Sequence, residues 1–146
     1  MDQTTIAEHG GAIAFLQAPL PAASAWALGT PLACSRCDAA TYQAAYTRGD
    51  SGGKVKYRTM ISIDEGTTFT QRTTEQLIGV SPPAVATHQD ILDEREFASL
   101  ATGEQTFEVP IRDIRATHIR LDAAESGVVG TPGIFAANVR FFRGIS

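Results

Sequence analysis

The densest chemistry in the sequence lies between Thr47 and Lys54, which read TRGDSGGK. Gly49-Asp50-Ser51-Gly52-Gly53 matches the loop around the nucleophile of chymotrypsin-like serine proteases, and Arg48-Gly49-Asp50-Ser51 matches the cell-adhesion tetrapeptide. A serine nucleophile needs a histidine to take its proton and a carboxylate to orient that histidine. In such proteases the serine comes late in a longer chain, after both partners. Here Ser51 lies in the first third, only His9 precedes it, and Lys54 stands where the protease loop continues with proline. His88 and His118 could serve in another chain order, but His118 sits between Thr117 and Ile119 on the polar side of an alternating run. The adhesion match is short enough to arise by chance. The simplest expectation is a turn whose glycines supply positive φ.

Other reactive groups carry less. Cys34 and Cys37 form a single C-x-x-C with no second pair, whereas a structural zinc site takes about four ligands. His9, His88 and His118 lack metal-ligand spacing. The surrounding PLACSRCDAATYQAAY reads as strand, turn, strand, so these cysteines are expected to be reduced, packed or turn residues. The acid pairs Asp64-Glu65 and Asp93-Glu94 are adjacent in sequence and are expected to be solvated. No phosphate loop, dinucleotide fingerprint or H-E-x-x-H motif occurs. These features point away from an enzyme and call for no cofactor or metal.

The elements that must carry these residues are strands. Lys54 to Asp64, KVKYRTMISID, alternates strictly, with Val55, Tyr57, Thr59, Ile61 and Ile63 on the face expected to be buried. TYQAAYT before it places Tyr42, Ala44 and Tyr46 on one face, and the two runs joined by RGDSGG predict a β-hairpin. A second tight turn is expected at Glu65-Gly66, giving an antiparallel meander. SPPAVATHQD is expected to be a surface loop, and ILDEREFASLA fits a short helix, a loop or a strand. Farther on, Phe107, Val109 and Ile111 alternate, as do Thr117, Ile119 and Leu121. Phe135, Ala137, Val139 and Phe141 share one face of a final strand, and GAIAFLQAP supplies another near the start. Seven to nine short strands with turn-rich joints predict an all-β fold, an antiparallel β-sandwich or jelly-roll-like domain.

The chain has 146 residues, which fits one domain spanning 1–146, with residues 1–11 a candidate N-terminal arm. Twelve basic against sixteen acidic residues give a formal net charge of −4 with no basic stripe, so nucleic acid is not an expected partner. No apolar run approaches the roughly 20 residues of a membrane span, and the start lacks the pattern of a secretory signal. The expectation is a protein made in a cytoplasm that leaves it, if at all, on a released particle. A carbohydrate-binding module would need exposed aromatic platforms. Tyr42, Tyr46 and Tyr57 fall on faces expected to be buried, and the single Trp26 reads more readily as core or interface.

YTRGDSGGKVKYRTMISIDEGTTF and RATHIRLDAAESGVVGTPGIFAANVRFF resemble small β-sandwich virion proteins of tailed bacteriophages, of the capsid decoration or head-surface type. The resemblance rests on Ile61-Ser62-Ile63-Asp64 before the Gly66 turn, on the strand Thr67-Thr68-Phe69, and on the turn from Glu125-Ser126-Gly127 to Pro132-Gly133. It spans roughly residues 41–142 and implies no catalytic residues. It does imply self-association, as a homotrimer, and docking on the major capsid protein in the virion, where a decoration or cement protein stabilises the assembled head. A tail or baseplate component and an adhesive or glycan-binding sandwich are the alternatives. Trp26, Phe141 and Phe142 are the candidate interface residues, since Phe141 and Phe142 must point to opposite faces of one strand.

Overall fold

A computed structural model of the chain describes residues 11–22, 25–78, 86–91, 94–127 and 130–143, with only the backbone described for 73–78 and 86–91. The expected arm therefore lies outside the described residues except for Gly11. Eleven β-elements follow in order: β1 (Ala12–Pro19), β2 (Leu32–Ala33), β3 (Ala39–Thr47), β4 (Lys54–Ser62), β5 (Thr70–Gln71), β6 (Thr73–Ile78), β7 (Ala86–Ile91), β8 (Glu94–Ala98), β9 (Glu104–Ile111), β10 (His118–Glu125) and β11 (Ile134–Phe142).

Strand order identifies the architecture. Sheet A runs β1-β11-β3-β9, and sheet B runs β2-β10-β4, with β8 and β5 pairing different stretches of the far side of β4. Every pairing is antiparallel. β1 pairs β11, β2 pairs β10, β3 pairs β9 and β4 pairs β8, as in one long two-stranded ribbon. Rolling that ribbon brings β11 beside β3 and β10 beside β4. This is a jelly roll, two sheets built from one folded ribbon. The β6–β7 hairpin forms its own two-stranded sheet, inserted between β4 and β8.

The two inner faces interdigitate. Tyr42, Tyr46, Val139 and Phe135 from sheet A meet Val55, Ile119 and Leu121 from sheet B, all fully buried. Each large apolar side chain so buried contributes about 1.5–3 kcal/mol. Phe15 of β1 meets Phe135 edge-on, with centroids 5.0 Å apart. Across the β8/β9 side of the sandwich, Phe97 stacks on Phe107 at 4.3 Å, and Tyr57 backs Phe107 at 5.2 Å. On β1, register shifts between Ile13 and Phe15 and between Phe15 and Ala18 break the alternation. Such bulges place consecutive residues on one side. Ala14 and Phe15 are both buried, and Leu16 and Gln17 are both exposed.

Three expectations need correction. The run joining β3 to β4 is not a hairpin, and the chain there is not a meander: β3 lies in sheet A between β11 and β9, and β4 lies in sheet B. Alternation marks a strand with one buried face but does not say which strand it pairs with. Ile63 does not share the buried face of β4, because the strand ends at Ser62 and Ile63 is 77% exposed. The run SPPAVATHQD, expected to be a surface loop, carries strand β7 from Ala86 onward; of the alternatives left for ILDEREFASLA, its described part takes the strand, β8. Phe97 anchors that strand through its stacking on Phe107.

Candidate functional site

The TRGDSGGK loop is built around a buried carboxylate at the end of β10. Glu125 accepts hydrogen bonds from the Tyr46 hydroxyl at 2.6 Å and from the backbone amides of Gly133 at 2.8 Å, Lys54 at 3.0 Å and Gly127 at 3.3 Å. One side chain thus ties β3 of sheet A to β4 of sheet B and to the β10–β11 turn. Burial, and then the bond to Glu125, push the Tyr46 hydroxyl far above its ordinary range. Asp50 performs a similar task one turn away. Its Oδ2 accepts from the amides of Gly130 at 2.7 Å and Thr131 at 3.2 Å. Gly49 presses on the Thr131 carbonyl, so any side chain there would collide with the backbone.

This geometry bears on both motif matches. The acid of the adhesion tetrapeptide is turned onto the β10–β11 turn, and Arg48 donates to the Ser99 carbonyl at 3.3 Å. Ser51 is exposed at the loop tip. His118 lies at the opposite end of β10, paired with Ser62, whereas Glu125 at the loop end pairs with Val55. Seven strand steps of about 3.3 Å separate the two ends by roughly 20 Å. His88 lies on β7, where only the backbone is described, and His9 lies outside the described residues. His118 Nδ1 instead sits 3.2 Å from Thr117 Oγ1.

The outer face of sheet B carries a charge triad flanked by two rings. Asp122, fully buried, receives Arg58 Nε at 3.1 Å, Arg120 Nε at 2.7 Å, Arg120 Nη2 at 2.9 Å and the Gly29 amide at 3.2 Å. The Arg58 guanidinium lies over Trp26, 4.1 Å from the ring centroid, and that of Arg120 lies 4.6 Å over Phe69. The row runs Trp26, Arg58, Asp122, Arg120, Phe69. It clamps the β1–β2 and β4–β5 connections onto the sheet. Trp26 is half-buried, with one ring face under a cation, which leaves it poorly placed as a sugar platform.

The acid pair Asp64-Glu65 forms a turn. Glu65 at φ 61° and Gly66 at φ 85° are the central residues, and the Thr67 amide donates to the Asp64 carbonyl at 3.3 Å. Ser62 donates to Asp64 Oδ1 at 2.6 Å, and the Thr68 amide donates to the same oxygen at 2.8 Å. Those bonds hold the Asp64 carboxyl down to about 2. Asp93 lies outside the described residues, and Glu94 is on β8. Cys34 and Cys37 are free thiols. Burial pushes Cys34 up to about 11 and raises Cys37 as well. Among the described residues no cluster of three or more His, Cys, Asp or Glu could hold a metal ion.

The outer face of sheet A has a different character. Neighbouring strands bring Asn138, Gln43 and Glu108 into one row, Ala136, Ala45 and Thr106 into the next, and Arg140, Thr41 and Pro110 into a third. Short and uncharged side chains fill the first two rows on β11 and β3, Arg140 stands in the third, and the acids lie on β9. Ile13 (53% exposed), Leu16 (71%) and Phe142 (45%) stand out along the β1/β11 side. Two shallow depressions of about 420 and 300 Å³ cross this face, meeting at Gln43 and Asn138. Of the three rings singled out in the sequence, Phe142 projects from this face, Phe141 is buried in the core, and Trp26 lies on sheet B. The three do not form one patch. Sequence reasoning missed Asp122 and Glu125. A polar-face aspartate two residues from an arginine on the same strand was the available signal for Asp122. Nothing in the pattern marked Glu125 as buried.

The sequence matches no family model and no curated protein. Among solved structures, a chain from the structure of infectious bursal disease virus Gt strain aligns over 92% of this chain and 32% of its own length, at 10% identity and a TM-score of 0.45. A chain from the Gx strain structure aligns over the same shares at 12% identity and a TM-score of 0.43. The present chain thus spans about a third of the length of each. The jelly-roll assignment rests on strand order.

Proposed function

We propose that the protein is a non-enzymatic structural component of a tailed-phage virion, a decoration or cement protein that binds the outside of the capsid shell as a homotrimer. The observation that carries this reading is the outer face of sheet A. Its middle rows carry Ala45, Ala136, Gln43 and Asn138, with Arg140 toward one end and acids on β9, and Ile13, Leu16 and Phe142 border it. These exposed apolar side chains cluster along its β1/β11 side, beside short polar and alanine residues, and exposed apolar clusters favour a contact surface. The conspicuous carboxylates favour the same reading, since Glu125, Asp122 and Asp50 are occupied in holding loops to the sandwich. A decoration protein acts by linkage: contacts that exist only on the assembled shell stabilise that state, and a trimer multiplies them by avidity.

Co-sedimentation with expanded shells of the cognate major capsid protein tests the proposal. The wild-type protein should pellet with the shells at saturating stoichiometry and raise their melting temperature. Ala136→Arg, which puts a long cation in the middle of the face through which the trimer is proposed to assemble, should lose that avidity and remain in the supernatant while keeping its own fold. Failure of the folded wild-type protein to bind would remove the decoration assignment.

A further inference from the structure

We propose that Cys34 and Cys37 close into an intramolecular disulfide when the folded protein meets a disulfide oxidant of the glutathione type, locking the turn that carries the chain from sheet B to sheet A. The Cys37 amide donates to the Cys34 carbonyl at 2.9 Å, which makes residues 34–37 a hydrogen-bonded turn. The ends of such a turn lie within about 7 Å between Cα atoms, and a disulfide bridges about 4.4–6.8 Å. The Cys34 side chain is inside the core and that of Cys37 packs against the core, so both project to the same side. The Cys34 thiol makes a 3.5 Å contact to the Ala116 carbonyl, a weak sulfur hydrogen bond that rotation about the side chain can release.

The two sulfurs differ in access. Cys37 is half-buried and Cys34 is buried, so the oxidant meets Cys37 first. Burial raises the Cys37 thiol, and nearby Arg143 offsets part of that rise, so the reactive thiolate is a minor species at neutral pH. In the first step the Cys37 thiolate attacks one sulfur of glutathione disulfide and expels a glutathione thiolate, leaving a mixed disulfide. Cys34 then gives up its proton and attacks the Cys37 sulfur, expelling the second glutathione. Two protein thiols are oxidised by two electrons, and one glutathione disulfide is reduced to two thiols. The turn also anchors the end of β11: the Asp38 amide donates to the Phe142 carbonyl at 2.9 Å, and the Ile114 amide donates to the Asp38 carbonyl at 2.8 Å. Closing the bond fixes the strand end that bears the exposed Phe142 ring. This chemistry does not depend on a virion role and goes beyond it.

The experiment oxidises the folded, reduced protein in native buffer with excess glutathione disulfide, then measures intact mass and labels with iodoacetamide after unfolding in urea, so that the buried Cys34 is accessible to the label. The expected result is a loss of about 2 Da, two alkylated cysteines before oxidation and none after, and recovery of both with dithiothreitol. The oxidised protein should melt no lower than the reduced one. Cys34→Ser should retain one glutathione on Cys37, and Cys37→Ser should show no loss of mass. Thiols that both remain alkylatable would overturn the proposal. So would a glutathione retained by the wild-type protein, a cross-link between chains, or a lower melting temperature on oxidation.

Discussion

Asp122 and Glu125 lie three positions apart on β10 and therefore face opposite sides of sheet B, where Asp122 gathers two arginines and an amide and Glu125 a hydroxyl and three amides. Removing one partner from a buried ion pair leaves the other uncompensated, at a cost of about 3–5 kcal/mol. Asp122→Ala should lower the stability measured by urea unfolding by that order, because Arg58 and Arg120 would then face each other. Glu125→Gln presents an amide to donors that need an acceptor, and each unsatisfied donor costs about 1–3 kcal/mol. A Glu125→Gln protein as stable as wild type would mean that the four donors find other partners. Ser51 is the contrasting case. Exposed at a loop tip, it should tolerate Ser51→Ala with stability changed by less than about 0.5 kcal/mol, and trimer assembly should be unaffected.

The strands themselves were legible and their partners were not. The alternation in KVKYRTMISID, Phe107 to Ile111 and IFAANVRFF marks β4, β9 and β11 with little error at the ends. The hairpin expected across RGDSGG failed because a glycine-rich turn looks the same whether it returns the chain to its own sheet or crosses to the other. Here it crosses, held by Glu125 and Asp50, whose partners lie about eighty residues away in sequence. The Glu65-Gly66 turn was readable because its conformation is local. That turn carries a pH signature. The Asp64 carboxyl titrates at about 2 in the folded protein, below the ordinary 3.8. Its contribution is therefore present above the ordinary value and lost as the pH falls through the folded one. Asp64→Asn should lower the urea midpoint at neutral pH, and the difference from wild type should vanish near a pH of about 2.

At the level of the whole molecule, composition and turn spacing pointed to a sandwich, and pairing made it a jelly roll. The exposed character of sheet A was hidden for the same reason. Ala45, Ala136, Gln43 and Asn138 belong to different strands, and only their register assembles them into one face. Strand parity put Phe141 and Phe142 on opposite faces without saying which leaves the core, and the structure buries Phe141 and exposes Phe142, whereas Trp26 is placed by Arg58, a residue that no local pattern connects to it.

The solution mass of the purified protein, measured by light scattering on a sizing column, bears most directly on a self-associating sheet face. Wild type should elute as a trimer across a wide range of concentrations, and Ala136→Arg should elute as a folded monomer. A wild-type protein that is monomeric at every concentration, or an Ala136→Arg protein that remains trimeric, would contradict self-association through the outer face of sheet A.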